Sequence, residues 1–241
     1  MAGHSQFKNI MYRKGAQDAK RAKLFARISR EITVAVKSGN DDPKQNPRLR
    51  SAIINARNEN MPNDKIKNAI QRGKSNENLS KFSEIRYEGY GPNGIAIIIE
   101  AITDNKNRTA SEIRTVLNKH GGTLGEEGSV SFNFERVGKL VFSKDKFSIE
   151  DIIDAAIEAG ALDYLEENEL LTIITSIEKF GSIRDKLEKS FEEPIKAKLI
   201  WNVVNSIEVA DAEAKKIYGL LEALDDNDDI QALYTNFRVK K

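Results

Sequence analysis

The sequence is poor in the residues that cross-link a fold or ligate a metal. Among its 241 residues it has no cysteine and only two histidines, His4 and His120. The lack of cysteine excludes a disulfide framework, and two histidines are too few for the usual zinc or iron ligand sets. We therefore predict neither a metal nor a cofactor, and no catalytic residue stands out.

Long apolar runs are also missing. The longest, residues 95–99, has the length of a strand and falls far short of the roughly 20 residues that a membrane-spanning helix needs. The N-terminus lacks the apolar segment of a secretory signal. These features favour a cytoplasmic protein with no membrane partner, and we expect a monomer.

Acidic residues are scarce in the first 74 positions. This block has 17 Lys and Arg against six Asp and Glu, a net charge of +11, whereas the remaining 167 residues carry a net charge of −10. A segregated basic block is typical of a surface that binds a polyanion, because each cation near a phosphate releases condensed counterions. The charge pattern predicts a nucleic-acid partner, and the alternative is a basic surface that docks on an acidic protein.

The basic block reads as three helices. In the first, Phe25, Ile28, Ile32 and Ala35 form one apolar stripe, and basic residues repeat at the same spacing on the opposite side. Asn46-Pro47 and Met61-Pro62 begin the second and third helices. The candidate nucleic-acid-binding residues, which we expect to contact mainly phosphates, are Lys8, Arg13, Lys14, Lys20, Lys23, Arg27, Arg30, Arg48, Arg50, Arg57, Lys65, Lys67 and Arg72.

After a polar linker the periodicity becomes that of an α+β protein. Residues 85–90 and 95–103 are predicted to form two strands, and a capping box at Thr109 should begin a helix. With a further strand at 130–134 these elements predict a β-β-α-β unit. Residues 140–204 then follow the ferredoxin-like order β-α-β-β-α-β. The last 35 or so residues are too few to fold alone and supply the helix and strand that the first unit lacks.

We therefore predict three domains, one of them inserted in another. A basic three-helix domain covers residues 1–80, a discontinuous α+β domain covers 81–136 and 206–241, and a ferredoxin-like domain covers 137–205.

Three short motifs carry less weight. Gly89 to Gly94 matches the dinucleotide fingerprint G-x-G-x-x-G, but a β-branched run follows it, so a hairpin turn is the better interpretation. Residues 72–75 resemble the end of a phosphate-binding loop without its first glycine. An enzyme would need a site where His120, Arg108 and an acidic residue converge, and nothing in their spacing indicates one.

The chain as a whole resembles the YebC/PmpR family, which includes the mitochondrial translational activator of cytochrome oxidase subunit one. The matching stretches run from end to end: residues 1–5, 13–14, 16–21, 46–50, 60–62, 87–92, 105–109, 119–122, 228–229 and 234–237. Gln6-Phe7 and Met11-Tyr12 depart from the Lys-Trp and Lys-His pairs usual in the family.

The resemblance implies a basic helical domain followed by two α+β domains, the last inserted in the middle one. It also implies control of gene expression without catalysis, by a DNA-binding transcriptional regulator. A translation factor bound to the ribosome, with ribosomal or messenger RNA as its partner, is the alternative, and an enzyme with a site between domains is a more distant one.

Overall fold

The computed structural model describes residues 17–75, 82–145 and 147–240. Within them the helices are α1 (Gln17–Lys37), α2 (Pro47–Asn58), α3 (Asn63–Lys74), α4 (Lys106–Lys119), α5 (Ile149–Glu158), α6 (Ile177–Ser190) and α7 (Asp211–Asp225). The strands are β1 (Ser83–Tyr90), β2 (Ala96–Thr103), β3 (Thr123–Leu124), β4 (Phe134–Ser143), β5 (Asp163–Glu167), β6 (Leu170–Thr175), β7 (Lys196–Val203), β8 (Ile207–Val209), β9 (Ile230–Thr235) and β10 (Phe237–Val239). The fold is α+β, as predicted, with a helical N-terminal region followed by sheets.

The N-terminal helices form where the sequence places their caps and apolar stripes. In α1, Ile32 and Ala35 are fully buried and Phe25 is nearly so. The side chain of Asn46 accepts the backbone N–H of Leu49 at 3.0 Å and caps α2. The local signals of this region therefore agree with its tertiary structure.

The described residues form two compact units, and the first consists of residues 17–27, 82–135 and 203–240. Its four-stranded sheet has the order β3-β1-β2-β9, in which the C-terminal strand β9 pairs antiparallel with β2. Alternate residues of β2, Ile97 and Ile99, pack with α4 and α7 in the core. The short strands β8 and β10 pair in parallel.

The second unit consists of residues 28–75, 136–145 and 147–202. Its sheet has the order β5-β6-β4-β7, and β4 and β5 each pair antiparallel with β6. This is the strand order of the ferredoxin-like fold that the sequence predicted. Leu140, Ile173 and Ile183 are fully buried between this sheet and helices α5 and α6.

Two local predictions were wrong. Residues 131–133 form a 3-10 turn instead of a strand, because the buried carboxylate of Glu88 accepts the backbone N–H groups of Val130 and Ser131 at 2.9 and 3.0 Å. Helix α4 begins three residues before Thr109, capped by the side chain of Asn105. The hydroxyl of Thr109 instead donates to the buried carboxylate of Asp229.

The prediction of a hairpin turn between β1 and β2 is confirmed. Residues 92–94 form a 3-10 turn in which Asn93 and Gly94 both have positive φ angles. No described helix combines the length and the apolar character needed to cross a membrane. The division into three domains at the boundaries given above remains a prediction.

Candidate nucleic-acid interface

The candidate cations of α1 face acidic partners. The guanidinium of Arg27 donates to the carboxylate of Asp225 at 2.7 Å and to its main-chain carbonyl at 2.5 Å. Lys23 forms an ion pair with Asp226 at 3.3 Å, and only 15% of the Arg27 side chain is exposed. A cation at the C-terminus of α7 also complements the negative end of the helix dipole. Arg27 and Lys23 are therefore neutralised by acidic residues of the same chain.

The acidic partners belong to the run at residues 225–229. Two of its carboxylates, those of Asp225 and Asp226, bind the cations of α1. Sequence spacing could not predict this ion pair, because Arg27 and Asp225 are 198 residues apart.

The first two candidate cations of α2 are also paired. Arg48 binds the carboxylate of Glu31 through two hydrogen bonds, at 2.8 and 3.1 Å. Arg50 donates to Asp185 at 2.6 Å. Burial tends to raise the pKa of Asp185, but hydrogen bonds from Arg184 and Arg50 outweigh it, so the pKa of that carboxyl lies below its usual range. Arg48 and Arg50 serve the fold, whatever else they contact.

Three candidate cations have no such role. Arg57, Lys67 and Arg72 are exposed, and their side chains form no hydrogen bond or ion pair with any residue in the described ranges 17–75, 82–145 and 147–240. Lys65 is exposed as well, although it, Lys20 and Arg30 each have an interaction partner. Lys8, Arg13 and Lys14 lie outside the described residues. The cations that remain available thus lie at the end of α2 and along α3.

Helix α3 presents one polar face. Ile66 and Ala69 are buried, and Gly73 packs so closely that an added Cβ would lie 2.5 Å from the Cβ of Val36. The exposed side carries Asn68, Gln71 and Arg72, since Gln71 and Arg72 follow Asn68 by three and four residues and therefore lie next to it on the helix surface.

A shallow depression marks this face. It is lined by Asn68, Gln71, Arg72 and Ser75. Amide and hydroxyl groups beside arginine are common phosphate donors in protein–nucleic acid contacts. Asn68, Gln71 and Ser75 are not among the residues predicted from the sequence, although helical spacing alone places Asn68 and Gln71 next to Arg72.

Lys74 does not extend this surface freely, because it forms an ion pair with Asp41. The hydrogen bond from Lys74 lowers the pKa of the Asp41 carboxyl from its usual value. The neighbouring acid Asp64 is the only carboxylate on α3.

The residues that an enzyme would need do not converge. Arg108 lies in the first turn of α4 and binds Asp104 and Asp229 at 2.8 and 3.0 Å. Those side-chain hydrogen bonds raise the pKa of its guanidinium. His120 follows the other end of the same helix, roughly 18 Å away by the helical rise, with its Nδ1 against the carbonyl of Val116. Arg108 and His120 therefore form no common site.

Comparison with known proteins covers nearly the whole chain. A family model described as the TACO1/YebC protein N-terminal domain matches residues 5–76. A second model, described as the TACO1/YebC second and third domain and named for transcriptional regulation, matches residues 82–237. The crystal structure of a conserved hypothetical protein, Aq1575 from Aquifex aeolicus, is similar with a TM-score of 0.84 and 39% sequence identity, over 96% of each chain.

Proposed function

The chain belongs to the TACO1/YebC family, and on that premise we propose that it is a non-enzymatic, nucleic-acid-binding regulator of gene expression. The interface lies on the helical N-terminal region, and its contacts are mainly to phosphates. The observation that carries the proposal is the set of exposed cations, Arg57, Lys67 and Arg72, that the described fold leaves without an acidic partner.

The distribution of charge supports this orientation. The N-terminal 74 residues have a net charge of +11 and the rest of the chain a net charge of −10, so a polyanion is attracted to one part and repelled by the other. Phosphate contacts position a protein without reading bases. Binding to this surface alone is therefore expected to depend strongly on salt and weakly on sequence.

The preferred target is duplex DNA, in keeping with the transcriptional name of the family model that matches residues 82–237. A ribosome-bound translation factor uses the same chemistry on ribosomal RNA, and it is the alternative outcome of the experiments below.

The first experiment measures the anisotropy of fluorescein-labelled duplex DNA, and of duplex RNA of equal length, as the full chain is added at increasing salt. The triple variant R57Q/K67Q/R72Q should bind more weakly on every sequence. Its salt slope should fall by about one for each phosphate contact removed, so by up to about three.

The matched control is R114Q/K119Q/K215Q, which removes the same charge from exposed positions on α4 and α7. It should keep the salt slope of the unmodified protein. Equal losses in the two variants would mean that net charge alone acts, and would reject the α2–α3 interface.

The second experiment identifies the target in cells by crosslinking the protein and sequencing the recovered nucleic acid. Enrichment of promoter DNA supports transcriptional control. Recovery of ribosomal RNA without promoter enrichment contradicts it and supports the translation factor.

A further inference from the structure

The outer edge of the ferredoxin-like sheet carries an apolar cavity that the proposed function does not use. It encloses about 150 Å³ between α5 and β5. Ile153 and Ile157, one helical turn apart on α5, line it together with Leu162 and Tyr164. An apolar cavity of about this size accommodates a benzene ring, so one large apolar side chain fits.

The side chains around the cavity are unusually exposed for their type. Ile157 and Leu162 are each 58% exposed and Tyr164 is 43% exposed. Tyr164 pairs with Ile173 across the strands, so both point to the face of the sheet that α5 covers. Helix α5 does not reach far enough to bury Tyr164, and the cavity opens at the sheet edge.

The backbone beside the cavity is also open. β5 is the outer strand in the order β5-β6-β4-β7, and its second edge pairs with no other strand in the part of the chain that the structure describes. An open edge can accept one more strand, whose main-chain hydrogen bonds provide affinity while pockets for alternate side chains provide specificity.

The negative charge beside the cavity favours a positively charged binding partner. Exposed carboxylates flank the cavity and the open edge. Asp154 and Glu158 on α5 and Glu166 on β5 are on the side of the sheet that Tyr164 faces, whereas Asp163 and Glu167 alternate with Tyr164 along β5 and point to the other side. Lys186 and Lys144 pair with Glu158 and Glu166, whereas Asp154 and Asp163 form no ion pair within the described residues. This acidic rim repels nucleic acid and also a second copy of β5, because like charges at a strand edge oppose pairing.

We propose that this edge binds an extended, basic segment of another protein, which adds a strand to β5 and places one large apolar side chain between Ile157 and Tyr164. Lysines on either side of that anchor meet the acidic rim. The site shares no residue with α3, and the proposal does not depend on nucleic-acid binding.

The probe is a fluorescein-labelled peptide in which lysine and threonine alternate around one central phenylalanine, so that the lysines share the face of the aromatic ring. Anisotropy with the full chain should show saturable binding. Replacing the phenylalanine by alanine should weaken binding by about tenfold or more, because the anchor fills the cavity. Replacing the lysines by glutamates should abolish binding.

The protein variant I157K places a charge in the cavity with little effect on the fold, since the side chain is already 58% exposed. It should weaken peptide binding by at least about tenfold. V204K is the matched control, because Val204 is 59% exposed and far along the chain from α5, and it should bind the peptide as the unmodified protein does. Backbone amides of β5 should exchange more slowly with deuterium when the peptide is bound.

Three results would overturn the proposal. Equal binding of the phenylalanine and alanine peptides would show a purely electrostatic contact. Unchanged exchange at β5 would exclude strand addition. A dimer of the unmodified protein that I157K dissociates in sedimentation experiments would show that a second copy, and no basic partner, occupies the edge.

Discussion

Replacing Arg184 by methionine tests the polar anchor between α2 and α6. The Arg184 side chain is fully buried. One terminal nitrogen donates to the carbonyl of Pro47 at 3.2 Å and to the hydroxyl of Ser51 at 2.9 Å. The other and the Nε atom donate to Asp185 at 2.9 and 3.1 Å. A single buried cation thus joins the start of α2 to α6.

The expected loss of stability depends on the groups that lose Arg184 as a hydrogen-bond or ion-pair partner. Methionine fills a similar volume, so little of the loss comes from a cavity. The carboxylate of Glu188, which lies 3.6 Å from Arg184 and is 19% exposed, loses its nearest cation, and the Ser51 hydroxyl loses its donor. Removing one partner of a buried ionic group costs about 3–5 kcal/mol, so we expect R184M to lower the free energy of unfolding by that amount.

The assay is urea unfolding followed by the fluorescence of Trp201. It is the only tryptophan in the sequence and lies in β7, in the same compact unit as α2 and α6. The control is R48M, because Arg48 and Glu31 form an ion pair in this unit whose side chains are 35% and 36% exposed, and its loss should cost about 1 kcal/mol or less. If R184M costs no more than R48M, Arg184 does not anchor α2 to α6.

The other predictions concern two buried or half-buried carboxylates. Because the folded state holds the pKa of Asp185 below its value in the unfolded chain, the stability it provides is complete above about pH 4 and is lost as the pH falls further. D185N should therefore flatten the acid limb of the stability curve measured by Trp201 fluorescence, and an unchanged limb would contradict this assignment. D229A leaves the hydroxyls of Thr103 and Thr109 without their buried acceptor, which should cost about 2–3 kcal/mol. Amide hydrogen exchange in β2 should accelerate accordingly, whereas exchange as slow as in the unmodified protein would show that water replaces the carboxylate.

Much of the fold is predictable because its signals are local. Three of these signals depend on neighbouring residues only. They are the apolar stripe through Ile32 and Ala35, the start of α2 at Asn46-Pro47, and the order of strands and helices from 140 to 204. The errors arose where a distant group intervened. The carboxylate of Glu88, about 40 positions away, accepts hydrogen bonds from the amides of Val130 and Ser131. The carboxylate of Asp229 accepts a hydrogen bond from the hydroxyl of Thr109, which therefore does not cap the helix.

For the candidate site too, local features were predictable from the sequence, and long-range pairing was not. The sequence alone determined that a strongly basic helical region precedes an acidic body, because net charge and helical periodicity are sums over local residues. Only the tertiary structure decided which cations stay available: Arg27 pairs with Asp225, and Arg50 pairs with Asp185, 135 residues away, whereas Arg57, Lys67 and Arg72 face solvent. Ion pairs form between side chains that folding brings together, and no spacing in the chain records that proximity.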